Sequence, residues 1–365
     1  MSIRQAMNEA LNNAANGYAD AVDQFYERLQ EEGFDWGTPT LQDYQYVMDT
    51  FADWVEKERK VDKSETTSRA YRAKIIRHIK EFLTNQRAAT VSFLHINPAV
   101  FGIQLAMRVR RPRSFDQGQT SLCGAVSVLY AFAKREPMQF AQFALDLFVK
   151  GHALFGQLEI TPSLKIRQNY PLRRSKIPWA VDYVTLVSLR HCTFWTDKYR
   201  VGMLRGADET TMPGQIASWL SQAGYSDVED HTFFAKNQTK VVKLFSTKVV
   251  GQAMHGSGAD GDALAKVDRK NYAVLNLGLA QQALSEGKVV IMFSDGELGD
   301  IARGDDFQAR RGPTSVGHHH WMAVRKIDLG PNVTFKVITW GTSYTATLSL
   351  DHLVPRYNGF VCARP

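Results

Sequence analysis

Cysteine is scarce in this chain, with only Cys123, Cys192 and Cys362 among 365 residues. So few thiols cannot form the disulfide framework on which small secreted domains depend. Long apolar runs are also missing, and no stretch approaches the roughly 18 apolar residues of a membrane-spanning helix. The opening residues, Met1 to Gln5, lack the apolar core of a secretory signal. The sequence therefore predicts a protein made in the cytoplasm, without a membrane segment. Export by a machine that needs no signal peptide stays open.

A strong charge of one sign is absent as well, since the formal net charge is +7 from 44 basic and 37 acidic residues. Nucleic acid is not expected as a partner, because the basic clusters lack interleaved aromatic residues and any known binding motif. Such clusters either steer an acidic partner or form a solvated surface. They comprise Arg108, Arg110, Arg111 and Arg113, and then Lys165, Arg167, Arg173, Arg174 and Lys176.

The first ninety residues carry a helical pattern. Apolar residues recur every three or four positions over residues 2–32, 38–60 and 64–85, which predicts three amphipathic helices. Short connections allow such helices to form a small bundle. The composition changes near Ala88, and a short strand is expected over Thr90 to Leu94. We therefore expect a helical N-terminal module over residues 1–90 and a second domain over residues 91–365.

The C-terminal part is rich in strand patterns separated by turns. These patterns cover residues 288–293, 321–327, 333–339, 344–350 and 359–363. Because helices precede the strands, the sequence predicts an α+β fold with an antiparallel sheet. The glycine-rich residues 256–262 lack the order of a phosphate loop or of a calcium loop, so no cofactor is predicted.

Cys123 is the candidate nucleophile. It comes just before a clear apolar helix, Ala125 to Lys134. A thiol at the first turn of a helix meets aligned backbone N–H groups and the positive end of the helix dipole, which favour the reactive thiolate. Gln117, six residues earlier, is close enough in sequence for its amide to stabilise an oxyanion. A buried structural cysteine is the alternative.

The candidate base comes from the triplet His318-His319-His320, which directly precedes the apolar run Trp321 to Val324. We assign the base to His320 because it adjoins that run, and strand alternation turns His319 to the other face. A strand that begins two residues earlier moves the assignment to His318. Metal binding by His318 and His320 is an alternative, although no cysteine or carboxylate with recognised ligand spacing accompanies them.

The run Asp116-Gln117-Gly118-Gln119, with Cys123 and Ala125 after it, resembles the nucleophile segment of papain-like cysteine peptidases. It is closest to a bacterial branch of that superfamily that includes papain-fold effector proteases. The resemblance covers about residues 105–350, more by the order of features than by identity. It implies a papain-like fold, in which the nucleophile helix packs on an antiparallel sheet. Gln117 is then the oxyanion-hole donor and His320 the general base.

The chain departs from the family pattern at three positions. Gly124 stands where papains carry Trp, and Thr120 stands where they carry a disulfide cysteine. Trp340-Gly341 matches the end of the family's Asn-Ser-Trp-Gly motif, but the Asn position falls on Ile338. The nearest polar group is Thr339, so the site works as a Cys–His dyad oriented by this hydroxyl, or the third group is Asp328 or Asp351.

These parts predict a thiol hydrolase that cleaves an amide or peptide bond in a protein or peptide substrate, without cofactor or metal. Transglutaminase or acyltransferase chemistry on the same Cys–His pair is one alternative. A non-catalytic binding protein on a papain-like scaffold is another. By analogy, a helical N-terminal module and mild basicity suit a bacterial effector toxin, with an immunity protein or a host protein as its partner.

Overall fold

The structure, a computed structural model, describes residues 2–16, 21–28, 40–57, 68–85, 91–117, 120–168, 179–193, 211–232, 262–302 and 319–365. The chain divides into two compact units. One unit comprises Met1–Thr120 and Leu129–Leu204, and the other comprises Ser121–Val128 and Arg205–Pro365. Neither unit ends near residue 90, where the sequence predicted a domain boundary.

The first unit is largely helical. Its elements are α1 (Ile3–Ala15), α2 (Ala21–Arg28), α3 (Leu41–Lys57), α4 (Arg69–Asn85), α5 (Pro98–Arg110), α7 (Pro137–Lys150), the hairpin β1 (Ala153–Phe155) and β2 (Leu158–Ile160), α8 (Leu164–Gln168), and α9, whose consecutive pieces are Ala180–Asp182, the π-helical Tyr183–Val187 and Ser188–Cys192. Helix α4 packs against α3, α5 and α7, which explains why the first helices share a unit with later ones.

Two local predictions for this unit were wrong. The single helix predicted over residues 2–32 is two helices, α1 and α2, with residues 17–20 between them outside the described residues. The strand predicted over Thr90 to Leu94 is absent from its described part, residues 91–94, because residues 92–96 form bends and turns. Asn97 caps α5 here by accepting hydrogen bonds from the backbone of Ala99 and Val100. The local sequence therefore forms a helix start.

Two arginines of the first basic cluster, Arg108 and Arg110, are buried and do not form a solvated surface. Arg108 is fully buried and donates to both carboxylate oxygens of Asp182, at 2.9 and 2.6 Å. Its guanidinium also lies 4.2 Å from the ring centroid of Trp179. Arg110 is buried too, 4.5 Å from the ring centroid of Trp54. These two arginines belong to the interior of the unit, so neither expected role of the cluster applies to them.

The second unit contains the sheet. Its elements are α10 (Pro213–Gln222), β3 (Ser226–Asp230), α11 (Asp262–Ser285), β4 (Val289–Asp295), α12 (Gly296–Ala302), β5 (His319–Asp328), β6 (Asn332–Thr339), β7 (Thr342–Ser349), α13 (Leu350–Leu353) and β8 (Tyr357–Arg364). Helix α6 (Cys123–Arg135) contributes residues 123–128 to this unit and its remainder to the first. Each of the five strands predicted from residue 288 onwards is present, to within two residues at each end.

The sheet has the strand order β3-β8-β4-β5-β6-β7, and every neighbouring pair is antiparallel. One face packs on α11, because Met322, Val324 and Val337 join Leu277 and Ala280 in a single buried apolar cluster. The prediction of an α+β fold with an antiparallel sheet is confirmed at this level. Among the described helices, none has the length and apolar content to cross a membrane.

Candidate functional site

Cys123 is the first residue of α6, as expected from the sequence, and its side chain is 5% exposed. The first hydrogen bond at this end of the helix runs from the N–H of Val126 to the carbonyl of Leu122. The N–H groups of the first turn point toward the N-terminal end of the helix, where the helix dipole favours a negatively charged group. This position favours a thiolate at Cys123.

Gly124 brings the start of α6 against Thr211. A Cβ atom at Gly124 would lie 2.6 Å from Cβ and from Oγ1 of Thr211, closer than real Cβ contacts. The carbonyl of Thr211 in turn accepts a hydrogen bond from the indole N–H of Trp321, at 2.8 Å. The start of α6 is therefore connected to β5 at the residue next to His320. The close approach gives a physical reason for glycine at position 124.

His320 lies on β5, and its imidazole Nε2 is 2.6 Å from Oγ1 of Thr339 on the neighbouring strand β6. The contact expected from the sequence between these two side chains is present. His320 is 4% exposed and Thr339 is 3% exposed. Since Nε2 is occupied by the hydroxyl, Nδ1 is the ring nitrogen left to exchange a proton with another group.

Trp340 covers this histidine. The two rings are stacked, with centroids 4.4 Å apart and planes inclined by 11°. Trp340 and Gly341 form the two-residue turn between β6 and β7, and both have positive φ, +43° and +75°. Positive φ at both positions is the geometry of a type I′ hairpin turn, which a bulky residue rarely adopts. The backbone of Trp340 thus adopts a strained conformation, and its side chain covers the His320 ring.

Gly299 of α12 lies close to the rings of both Trp340 and His320. A Cβ atom there would lie 3.0 Å from Cδ2 of His320 and would overlap the Trp340 ring. The sequence analysis missed this contact, because an isolated glycine in a short helix carries no signal of what it approaches.

Burial determines the protonation state of His320. Removal of the ring from water lowers its pKa from 6.5 to about 3. The imidazole is therefore neutral near pH 7, and the same burial disfavours the imidazolium that forms when a base accepts a proton. The group at its Nε2 is a hydroxyl, which stabilises the resulting imidazolium less than a carboxylate does.

The two aspartates considered as a third member are at the surface. Asp328 pairs with Lys326 at 2.6 Å, and its side chain is 50% exposed. Asp351 pairs with Lys270 at 2.8 Å, and its side chain is 79% exposed. Each carboxylate thus already has a lysine partner, whereas Thr339 contacts the His320 ring directly.

His319 and His320 point to opposite faces of β5, because side chains alternate along a strand. His320 shares its face with Met322, which belongs to the apolar cluster under α11. His319 shares the other face with Trp321, and both rings lie against Phe293, with centroid distances of 5.0 and 4.4 Å. This is also the face on which Trp321 reaches Thr211. His318 lies outside the described residues, so the metal site considered for His318 and His320 has no structural counterpart to examine.

Gln117 belongs to the first unit, where it is 6% exposed. The hydroxyl of Thr120 donates to its backbone carbonyl, at 2.6 Å. The preceding N–H, that of Asp116, donates to Asp182 at 3.0 Å, so the buried ion pair of Asp182 with Arg108 also fixes this segment. The side chain of Thr120 therefore connects the two described ends of this segment by a hydrogen bond.

The structure thus joins His320 to Thr339 and Trp340, and joins the start of α6 to Trp321 through Thr211. Comparison of the chain with models of protein families, with curated proteins and with solved structures finds no significant match.

Proposed function

We propose that the protein is a papain-like thiol hydrolase that cleaves an amide or peptide bond in a protein or peptide. The observation that carries the proposal is the 2.6 Å contact between His320 and Thr339, the nearest polar group to the position where the family has Asn. It is supported by the position of Cys123 as the first residue of α6. An oriented neutral imidazole and a thiol at a helix start are the two parts that nucleophilic catalysis by cysteine requires.

In the proposed reaction, Cys123 passes its proton to Nδ1 of His320, and the thiolate attacks the carbonyl carbon of the substrate. The backbone N–H of Cys123 and the side-chain amide of Gln117 stabilise the oxyanion. The role of Gln117 depends on its spacing from Cys123 in the sequence. The intermediate collapses, the leaving amine takes the proton from His320, and water then hydrolyses the acyl-enzyme. An amine in place of water gives acyl transfer by the same groups.

The direction of the side chains along β5 suggests a second candidate for the base, His319. Trp321, which contacts Thr211 near the start of α6, shares its face with His319 and not with His320. Against this, the hydroxyl partner that orients a base belongs to His320. We therefore assign the base to His320, and replacement of each histidine separately distinguishes the two.

The test uses the full-length protein and a peptide mixture prepared from a digested proteome, with new peptide termini read by mass spectrometry. We expect the wild type to generate new termini, Cys123→Ala to generate none, and Cys192→Ala to match the wild type. An added primary amine that becomes attached to the product reveals transfer in place of hydrolysis. His320→Ala should cost several orders of magnitude in rate and His319→Ala little.

The hydrolase proposal is overturned if Cys123→Ala keeps its activity, or if Cys192→Ala or Cys362→Ala is the silencing change. A complete loss from His319→Ala, with His320→Ala unaffected, moves the base to the Trp321 face. If neither new termini nor an acyl-enzyme is found with the wild type, the protein is a binding protein on this scaffold.

A further inference from the structure

A second group of reactive side chains lies at the other end of the sheet from β7, where β3 pairs with β8. Cys362 of β8 is opposite Glu229 of β3 in the strand register, and its side chain is 1% exposed. His231, directly after β3, is 8% exposed. Its Nε2 is 2.9 Å from Oε2 of Glu229. A thiol, an imidazole and a carboxylate thus offer ligand atoms that all lie within 4.8 Å of one another.

The backbone holds His231 in place. Its N–H donates to the carbonyl of Phe360 at 2.8 Å, and its ring stacks on the Phe360 ring with centroids 4.7 Å apart. Its carbonyl accepts from the side chain of Asn276, at 2.9 Å. Gly359, with φ +101°, lies so close to this carbonyl that a Cβ atom would overlap it. The imidazole is therefore fixed before any ligand arrives, which lowers the entropic cost of binding.

The charge at this group suits a cation. Lys288 Nζ is 2.6 Å from Oε1 of Glu229, the carboxylate oxygen that does not face His231. This hydrogen bond holds the pKa of Glu229 below its ordinary value, so the carboxylate is ionised at neutral pH. Oε2 of Glu229 can bind a cation while Oε1 remains hydrogen-bonded to Lys288. Once Cys362 has lost its proton on binding, the thiolate, the carboxylate and the ammonium together carry one net negative charge, which balances half the charge of a divalent cation.

We propose that Glu229, His231 and Cys362 bind a zinc ion, with a water molecule as the fourth ligand. One sulfur, one nitrogen and one oxygen donor match the ligand preference of Zn²⁺, whereas Mg²⁺ and Ca²⁺ prefer oxygen donors alone. Tetrahedral zinc places its donors about 3.3–3.6 Å apart, given metal–ligand bonds of about 2.0–2.3 Å. Small side-chain rotations therefore reach this geometry. The ion takes the place of the contact between His231 and Glu229.

Zinc binding releases a proton. Zinc binds the thiolate form of cysteine, so the thiol of Cys362 loses its proton on binding. Binding forms the zinc–sulfur bond and transfers the thiol proton to solvent. The apparent affinity should therefore rise about tenfold per pH unit near neutral pH. This site does not depend on the proposed hydrolase function.

The test is a titration of the reduced, metal-stripped full-length protein with cobalt(II), followed by competition with zinc. We expect the visible bands of tetrahedral cobalt and a thiolate-to-cobalt charge-transfer band, both removed by zinc. Cys362→Ser should abolish the charge-transfer band and weaken zinc at least about 100-fold, since loss of even an outer partner costs 10–100-fold. Cys192→Ser is the matched control and should retain both properties.

His231→Gln tests whether misfolding causes the loss of zinc affinity, because glutamine keeps a hydrogen bond to Glu229. It should weaken zinc as Cys362→Ser does, with an unchanged circular dichroism spectrum. Zinc should also raise the Tm of the wild type but not of either variant. The proposal is overturned if the folded wild type shows no thiolate band. It is equally overturned if Cys362→Ser retains the wild-type zinc affinity, which would leave the three side chains with a structural role only.

Discussion

Thr339 holds the imidazole of His320 by its Nε2, at 2.6 Å, from the neighbouring strand of the sheet. The contact fixes the orientation of the ring and leaves Nδ1 for proton exchange. Because both side chains are almost completely buried, water cannot readily take the place of either partner. The hydroxyl of Thr339 is therefore the group whose removal most directly disturbs the proposed base.

Thr339→Val removes this hydroxyl while keeping the shape of the side chain. We expect kcat to fall about tenfold, the equivalent of one hydrogen bond of about 1.4 kcal/mol. Thr339→Ser retains an acceptor and should keep most of the activity. Steady-state kinetics on both variants checks the prediction. Equal activity in Thr339→Val and the wild type would remove Thr339 from the site.

Trp340→Asn separates the strain of the turn from the cover over His320. Asparagine tolerates the left-handed conformation that costs a bulky residue about 1–3 kcal/mol. The lost ring stacking is worth about 0.5–1.5 kcal/mol beyond the apolar burial of the indole, which is lost as well, so the relief of strain should offset part of the loss in the free energy of unfolding. Activity should nevertheless fall, because the imidazole becomes exposed to water.

Trp340→Phe is the matched variant, since it keeps a ring over His320 and also keeps the strain. Denaturant unfolding of both variants measures the effect of the strain, and peptide hydrolysis by both variants measures the effect of the ring over His320. If Trp340→Asn is as active as the wild type, the stacked ring has no part in the reaction.

The buried His320 makes stability depend on pH. Its pKa is lowered from 6.5 to about 3 by burial, so between these values the unfolded chain binds a proton that the folded chain excludes. Stability is full above pH 6.5 and is lost as the pH falls toward about 3. The slope contributed by one proton is at most about 1.4 kcal/mol per pH unit.

His320→Gln should flatten the fall of the unfolding free energy over this window relative to the wild type. Urea unfolding at a series of pH values checks this. An identical pH dependence in His320→Gln and the wild type would show that the ring is hydrated and not buried.

Gly124→Ala tests the contact between α6 and Thr211. The added Cβ would lie 2.6 Å from the Thr211 side chain, so the start of α6 must move away from Thr211, and we expect losses of both stability and activity. Thr211→Gly in the same chain should restore part of the loss, as a double-mutant cycle would reveal. Gly214→Ala, where nothing lies within 4 Å of the added atom, is the control. Additive effects of the two changes would contradict the contact.

The elements that follow a strict period were predictable from the sequence. The strands after residue 288 alternate or form apolar runs bounded by turns, and each is present. The helix after Cys123 carries an apolar pattern, which placed the thiol at its start. The contact of His320 with Thr339 followed from strand order, because consecutive antiparallel strands bring such residues together.

Contacts between distant segments were not predictable. Nothing in the pattern around Thr211 indicates that its carbonyl accepts from Trp321, or that its side chain requires glycine at position 124. In the sequence, Arg108 resembles several surface arginines. Its burial depends on the ion pair with Asp182, which is 74 residues away and carries no sign of that pairing. The domain boundary was placed by a composition change, whereas the compact units follow the packing of α4 on later helices.

The most direct measurement of the central claim is the rate of iodoacetamide alkylation of each cysteine as a function of pH, resolved by peptide mass spectrometry. The account predicts that Cys123 is labelled well below pH 8.5, the ordinary thiol value. Cys192 and Cys362 serve as internal controls, because burial raises their pKa values to about 11 and about 12. In His320→Gln the labelling of Cys123 near neutral pH should slow, because the imidazole that takes the thiol proton is lost, and in His319→Gln it should not. A Cys123 that stays unlabelled in the folded protein, or reacts identically in wild type and His320→Gln, would contradict the account.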